Sequence, residues 1–261
     1  MKRAWPAWLC IFATAVLIFR GASAQTQKAS ASPNITSAIL GKEILDYAVE
    51  WKLIRAGSAK ITWTPDRSSF RGDLRLESAG LVSKLYRVDD SYSVQLEQQL
   101  CASSIFMKSL EGKRQRETKV AFDHARGKAS YLERDLLKNS TVLAREIDTP
   151  PCVSDILGGL FKMRTLNLEP GQSANIAVSD GKKSVQVRID AQEREEVKTP
   201  TGTYKTIRYE VFVFNNVLYA KQGRAFVWQT DDARKTPVQI RARMNFPIGT
   251  ITLQLEKEER N

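Results

Sequence analysis

The residues able to do chemistry are few. The chain has one histidine, His124, and three cysteines among 261 residues. One histidine excludes a multi-histidine zinc or iron site, and three cysteines exclude a four-cysteine one. His124 lies in Phe122-Asp123-His124-Ala125-Arg126-Gly127, a turn composition in which an imidazole is solvated rather than poised as a general base. The nucleophile elbow, the paired-histidine metal helix, the EF-hand loop and the glycine-rich dinucleotide motif are all absent; near Gly127-Lys128, Phe122 stands where a phosphate loop needs its first glycine. With 29 acids available, no pair of carboxylates stands out for glycoside hydrolysis.

One local string has both an aromatic ring and clustered charge: Trp228-Gln229-Thr230-Asp231-Asp232-Ala233-Arg234-Lys235-Thr236-Pro237. It reads most simply as a strand ending at Trp228, a turn whose short carboxylates cap backbone N–H groups, and a new strand after Pro237. As a binding site, Trp228 would be a stacking platform, with Asp231, Asp232 and Arg234 as polar ligands. Two adjacent acids are too few for a calcium cage, so no metal and no cofactor is expected. Arg241 and Arg243 fall on the polar side of the next strand and form a candidate exposed basic face.

The first 24 residues read as an export signal, with cations Lys2 and Arg3, an apolar run from Ala4 to Phe19, and the small-x-small string Ala22-Ser23-Ala24. Residues 25–40 are rich in Ser, Ala and Thr without a hydrophobic period, a flexible lead-in. Removal of the signal leaves Cys101 and Cys152 in an oxidising compartment, where a disulfide is the simplest reading and two separate buried thiols the alternative. The formal charge of +11 counts Lys2, Arg3 and Arg20, yet stays positive without them. The cations are interspersed with acids, as in Lys113, Arg114, Arg116, Glu117 and Lys119, and read most simply as a solvated polar face; in an exported chain the excess otherwise suggests anionic neighbours, such as lipid headgroups or glycans, and not nucleic acid. No segment of the mature chain is apolar enough to span a membrane.

Positioning elements follow from hydrophobic period, which is two almost throughout residues 41–261, a single β-rich domain. Tyr47, Val49, Trp51 and Leu53 alternate with polar residues, and Ala56-Gly57 predicts the first turn. Val94, Leu96 and Leu100 repeat the pattern, as do Val185, Val187 and Ile189 after an Asp180-Gly181 turn, and Val238, Ile240, Ala242, Met244 and Phe246. One short helix is expected after Pro150-Pro151, carrying Ile156, Leu157, Leu160, Phe161 and Arg164, with a further helical turn at Leu81–Leu85. Asp155 and Arg164 flank that helix and lie on opposite sides of it, so each needs its own partner. The absence of βαβ alternation makes the sheet mostly antiparallel, strongly curved or closed as a barrel, with the helix packed on it.

Several strings also resemble a known family: Leu45-Asp46-Tyr47 through Arg55-Ala56-Gly57, Lys84-Leu85-Tyr86-Arg87-Val88-Asp89-Asp90, Asp155-Ile156-Leu157 to Arg164, and Trp228 to Pro237 with Ile248-Gly249. In this order they are similar to the exported bacterial family designated domain of unknown function 3108. The resemblance implies a β-rich periplasmic or envelope protein and brings no catalytic residues. Two roles fit. One is a non-enzymatic binding or carrier module that shelters a lipid or acyl chain; the other is a structural protein docking to an envelope partner or anionic glycan. A glycan-processing enzyme is the third.

Overall fold

The computed structural model describes residues 41–246 and 248–261. The expected export signal and the whole of the expected lead-in, residues 25–40, lie outside those residues. Fourteen strands follow one another as β1 Glu43–Trp51, β2 Ile54–Asp66, β3 Ser69–Ser78, β4 Val88–Glu97, β5 Ala102–Glu111, β6 Arg114–Asp123, β7 Lys128–Asp135, β8 Ser140–Asp148, β9 Ser173–Ser179, β10 Ser184–Thr199, β11 Gly202–Val211, β12 Gly223–Thr230, β13 Pro237–Met244 and β14 Thr250–Arg260. Two helices interrupt them, α1 Gly80–Leu85 and α2 Ile156–Met163. The expected single helix is thus joined by α1, the helical turn foreseen at Leu81–Leu85.

All strands belong to one antiparallel sheet, ordered β8-β7-β6-β5-β4-β3-β2-β1-β14-β13-β12-β11-β10-β9. The chain meanders outward from β1 to β8, then starts again at the far edge and returns to β1. Of the two forms expected, curved sheet or closed barrel, the curved one is observed: β8 and β9 remain edges, and the sheet curls. Right-handed twist accumulated over fourteen strands brings the two halves face to face.

Three contacts hold the curl. Residues 153–154 bridge the halves, with Ala102 N–H donating to Val153 O and Ser154 N–H to Ala177 O. The β9–β10 turn enters the concave face, so that a Cβ on Gly181 would lie 2.6 Å from Val120 and 3.0 Å from Tyr131. The disulfide Cys101–Cys152 fastens the same region, with its Cα atoms 5.0 Å apart.

Register decides which side chains face inward. Leu45, Ile61, Leu74, Tyr92 and Met107 lie opposite one another from β1 to β5. On the other side Val49, Leu253, Ile240, Val227 and Tyr209 form the corresponding row. Along these rows every second residue of a strand faces the concave side.

Three local expectations are corrected. Phe246, expected to continue the row from Val238, lies beyond β13 in the β13–β14 turn and is 92% exposed. The first hairpin turns at Lys52-Leu53, both with positive φ (50° and 68°), and not at Ala56-Gly57. Lys-Leu carries none of the Asn-Gly signature of such a turn. Gly57 lies within β2 because a Cβ there would sit 2.0 Å from the Glu77 carbonyl oxygen. Likewise α2 begins four residues beyond Cys152, not directly after the prolines. Its start is set by Asp155, whose carboxylate accepts from Leu157 N–H and Gly158 N–H.

Candidate ligand cavity

Helix α2 crosses the concave side and positions the site. Its Asp155 cap is fully buried and also accepts from the Tyr92 hydroxyl at 2.6 Å. Burial pushes the Asp155 carboxyl up, and burial together with Asp155 holds the Tyr92 phenol well above its ordinary range. Gly158 lets the helix approach β4, because a Cβ would meet Leu96 at 2.8 Å. The helix-propensity cost of this glycine, about 1 kcal/mol, is therefore the condition for docking. Phe161 packs on Trp63 and Phe70, with ring centroids at 4.5 and 5.9 Å.

The far end of α2 is clamped by Arg164. Its guanidinium donates to both oxygens of Glu43, at 2.5 and 3.1 Å, and twice to the Arg234 carbonyl oxygen, at 3.1 and 2.9 Å. Arg164 and Glu43 are both buried, and Arg260 reaches Glu43 at 2.6 Å. As expected, Asp155 and Arg164 have separate partners.

Between α2 and the two half-sheets lies a cavity of about 520 Å³. Its walls are almost wholly apolar: Ile105, Met107 and Val120 from one half, Val187, Ala225 and Val227 from the other, and Leu160 from the helix. A small barrel fills its interior with its own side chains. Fourteen strands enclose more than these can fill, and α2 occupies only one side. The wall also includes Asp180, Lys182 and Tyr219, of which Lys182 and Tyr219 are exposed, so the cavity reaches solvent there. The Lys182 ammonium stands 5.5 Å from the Tyr131 ring centroid. Burial pushes the Tyr219 phenol up to about 12.

The residues singled out from the sequence lie elsewhere. Trp228 points to the convex face, in the row Gln254, Gln239, Trp228, Arg208. It is buried, its indole N–H donates to Glu195 at 2.7 Å, and the Arg241 guanidinium covers its ring at 5.0 Å. Asp231 accepts from Arg194 at 2.7 Å. Asp232 accepts from the N–H groups of Arg234 and Lys235 and from the Thr230 hydroxyl, the turn-capping arrangement. Arg234 contributes its carbonyl to the Arg164 clamp, while its side chain reaches back toward Asp232. Arg241 is half-buried and Arg243 exposed on the same convex face, Arg243 lying 5.7 Å from the Phe226 centroid. Burial and neighbouring Arg243 lower the Arg241 pKa.

Sequence reasoning missed Lys182, Tyr219 and Glu43. The Asp180-Gly181 cue marked the hairpin that carries Lys182, but nothing local shows that it folds into the opposite half-sheet.

The family model for proteins of unknown function designated DUF3108 matches residues 46–256, from within β1 to within β14. The chain belongs to that family. Among solved structures, it is similar to a β-barrel-like protein of domain of unknown function DUF1849 from Brucella abortus. The two share 8% identity at a TM-score of 0.56, over 85% of this chain and 99% of that one. This is a likeness of fold alone. An exported protein with a YmcC-like fold from Bacteroides fragilis matches at a TM-score of 0.37, with 8% identity over 85% of this chain and 97% of its own. A comparison with the curated proteins finds no relative of this sequence.

Proposed function

We propose that this DUF3108 chain is a non-enzymatic binding or carrier module of the bacterial envelope, and that its cavity takes the apolar part of a lipid or an acyl chain. The observation that carries the reading is the cavity. Its volume falls within the ~300–1,000 Å³ typical of small-molecule sites. Its wall offers one exposed cation, Lys182, 5.5 Å from the Tyr131 ring centroid, to hold a carboxylate or phosphate head on an apolar tail, with the Asp180 carboxylate and the Tyr219 phenol also in the wall. The leader-like first 24 residues support an envelope setting.

Titration of the full chain with an environment-sensitive fluorescent fatty acid tests the proposal. Saturable one-to-one binding is expected, displaced by unlabelled fatty acid and weakened by Ala225→Trp, which fills the cavity. Lys182→Glu should weaken it about ten-fold, equivalent to about 1.4 kcal/mol. Absence of saturable binding to fatty acid and lysophospholipid would refute it.

A second reading, docking to an anionic glycan, draws on Arg241 and Arg243. Both stack on aromatic rings, and neither forms an ion pair with a carboxylate among the described residues. Binding of a polyanionic glycan that is lost in Arg241→Gln/Arg243→Gln, with fatty-acid uptake intact, would favour it.

A further inference from the structure

The antiparallel meander places alternate connections at the same end of the sheet, and several of those at one end are joined to one another or to the end of a neighbouring strand. Lys52 N–H in the β1–β2 turn donates to Thr250 O, and the Trp51 indole donates to Ile248 O of the β13–β14 turn. Asn245 N–H in that turn donates to Gln222 O of the 212–222 connection. On the other side Ala79 N–H, just before α1, donates to Ala56 O of β2, and Gly112 N–H in the β5–β6 turn donates to Arg87 O just beyond α1. These connections form a continuous rim.

Large apolar side chains project from that rim into solvent. Leu53 is 93% exposed, Phe246 92% and Leu85 73%, with Ile54, Leu81 and Tyr86 also exposed. Scattered apolar residues on a surface are ordinary; six gathered on one linked rim are not. Leu53 also occupies a left-handed backbone position, where asparagine or glycine would be easier to accommodate. Its side chain is thus kept against the local backbone preference while touching little of the protein.

The charge of the rim selects the partner. The connections joined above carry Lys52, Lys84, Arg87, Lys113 and Lys221 and no acid among the described residues; the β9–β10 turn, which Lys183 joins to the 212–222 connection, adds Lys182, Lys183 and a single acid, Asp180. Two acids flanking these connections, Asp89 and Glu111, are held in ion pairs by Arg75 and Arg114. At the opposite end of the sheet the β12–β13 connection has two acids, Asp231 and Asp232. Exposed leucine and aromatic tips surrounded by cations are the composition of an interfacial anchor: the apolar tips enter the acyl boundary, and the cations stay among anionic headgroups. The 212–222 connection, which completes this rim, also supplies Tyr219 to the cavity wall.

We propose that this rim docks on the surface of an anionic phospholipid bilayer, with Leu53, Phe246, Leu81 and Leu85 inserted. The proposal goes beyond the cavity reading and does not require the cavity to be occupied.

The test is flotation of the full chain with vesicles of phosphatidylglycerol and phosphatidylcholine, compared with phosphatidylcholine alone. Binding is expected with the anionic vesicles and should weaken with added salt. Phe246→Ser and Leu53→Asn should each reduce it about ten-fold or more, and Lys52→Glu and Lys84→Glu about five-fold each. Leu53→Asn suits its backbone position, so it should leave the melting temperature equal or higher while binding falls. Fatty-acid uptake from solution should be unchanged in all four variants; a chain that floats with vesicles but takes up no fatty acid would refute the cavity reading alone. Variants that float as the parent does would overturn the docking proposal. So would rim-dependent self-association, or capture of a protein partner, without vesicle binding.

Discussion

Replacing Arg164 with leucine removes the clamp that fixes the end of α2, and the structure sets the cost. The guanidinium makes four hydrogen bonds, two to Glu43 and two to the Arg234 carbonyl, and both charged partners are out of solvent. Breaking a buried ion pair by removing one member costs about 3–5 kcal/mol, because the other charge stays buried. Arg260 still reaches Glu43 at 2.6 Å in the variant, which places the expected loss near the lower end, about 3 kcal/mol. For a domain of this size that is a fall in melting temperature of roughly 6–12 °C. Arg164→Lys keeps the charge but not the fork and should lose about half as much. The double variant Glu43→Leu/Arg164→Leu should be more stable than Arg164→Leu, since no uncompensated carboxylate remains. Thermal denaturation by circular dichroism reads all three. A loss under about 1 kcal/mol for Arg164→Leu, or a double variant as poor as the sum of both single changes, would refute the reasoning.

Three further outcomes follow from the same geometry. Burial pushes the Asp90 carboxyl up to about 6, so between roughly pH 4 and pH 6 the native state binds more protons than the unfolded one and stability falls as pH rises; Asp90→Asn should remove that slope in denaturant titrations at pH 4 and pH 8. Opening the Cys101–Cys152 disulfide by a double serine replacement frees a loop with a sequence separation of 51 and should cost about 4 kcal/mol in the chain-entropy account, read by the same titrations. Asp155→Ala removes the cap of α2 and the partner of Tyr92 and should cost at least about 2 kcal/mol, whereas Tyr92→Phe, which leaves the cap intact, should cost about 1 kcal/mol or less.

The fold was legible where a strand has one buried and one wet face. Val185, Val187 and Ile189, and the row from Val238 to Met244, show their period directly, and α2 shows its helical spacing. What remained hidden depends on contacts between residues far apart in the chain. Lys52-Leu53 turns without turn chemistry, because the neighbouring strand β14 supports it through the Thr250 carbonyl. Glu43 carries no local mark of a buried carboxylate, since its partners are 121 and 217 positions away. Trp228 drew notice as an aromatic ring beside acids, yet its ring and N–H are both engaged on the convex face. The cavity is least legible of all: every wall residue reads as ordinary core, and only the curl of the sheet leaves the space between them unfilled.

The central claim is that this space holds an apolar ligand. Native mass spectrometry of the chain purified gently from an envelope fraction, followed by solvent extraction and analysis of the extract, tests it most directly. The account predicts a stoichiometric adduct that is a lipid or fatty acid, absent from the cavity-filled Ala225→Trp variant prepared the same way. A clean apo mass from that preparation, together with no fatty-acid uptake in solution, would contradict it.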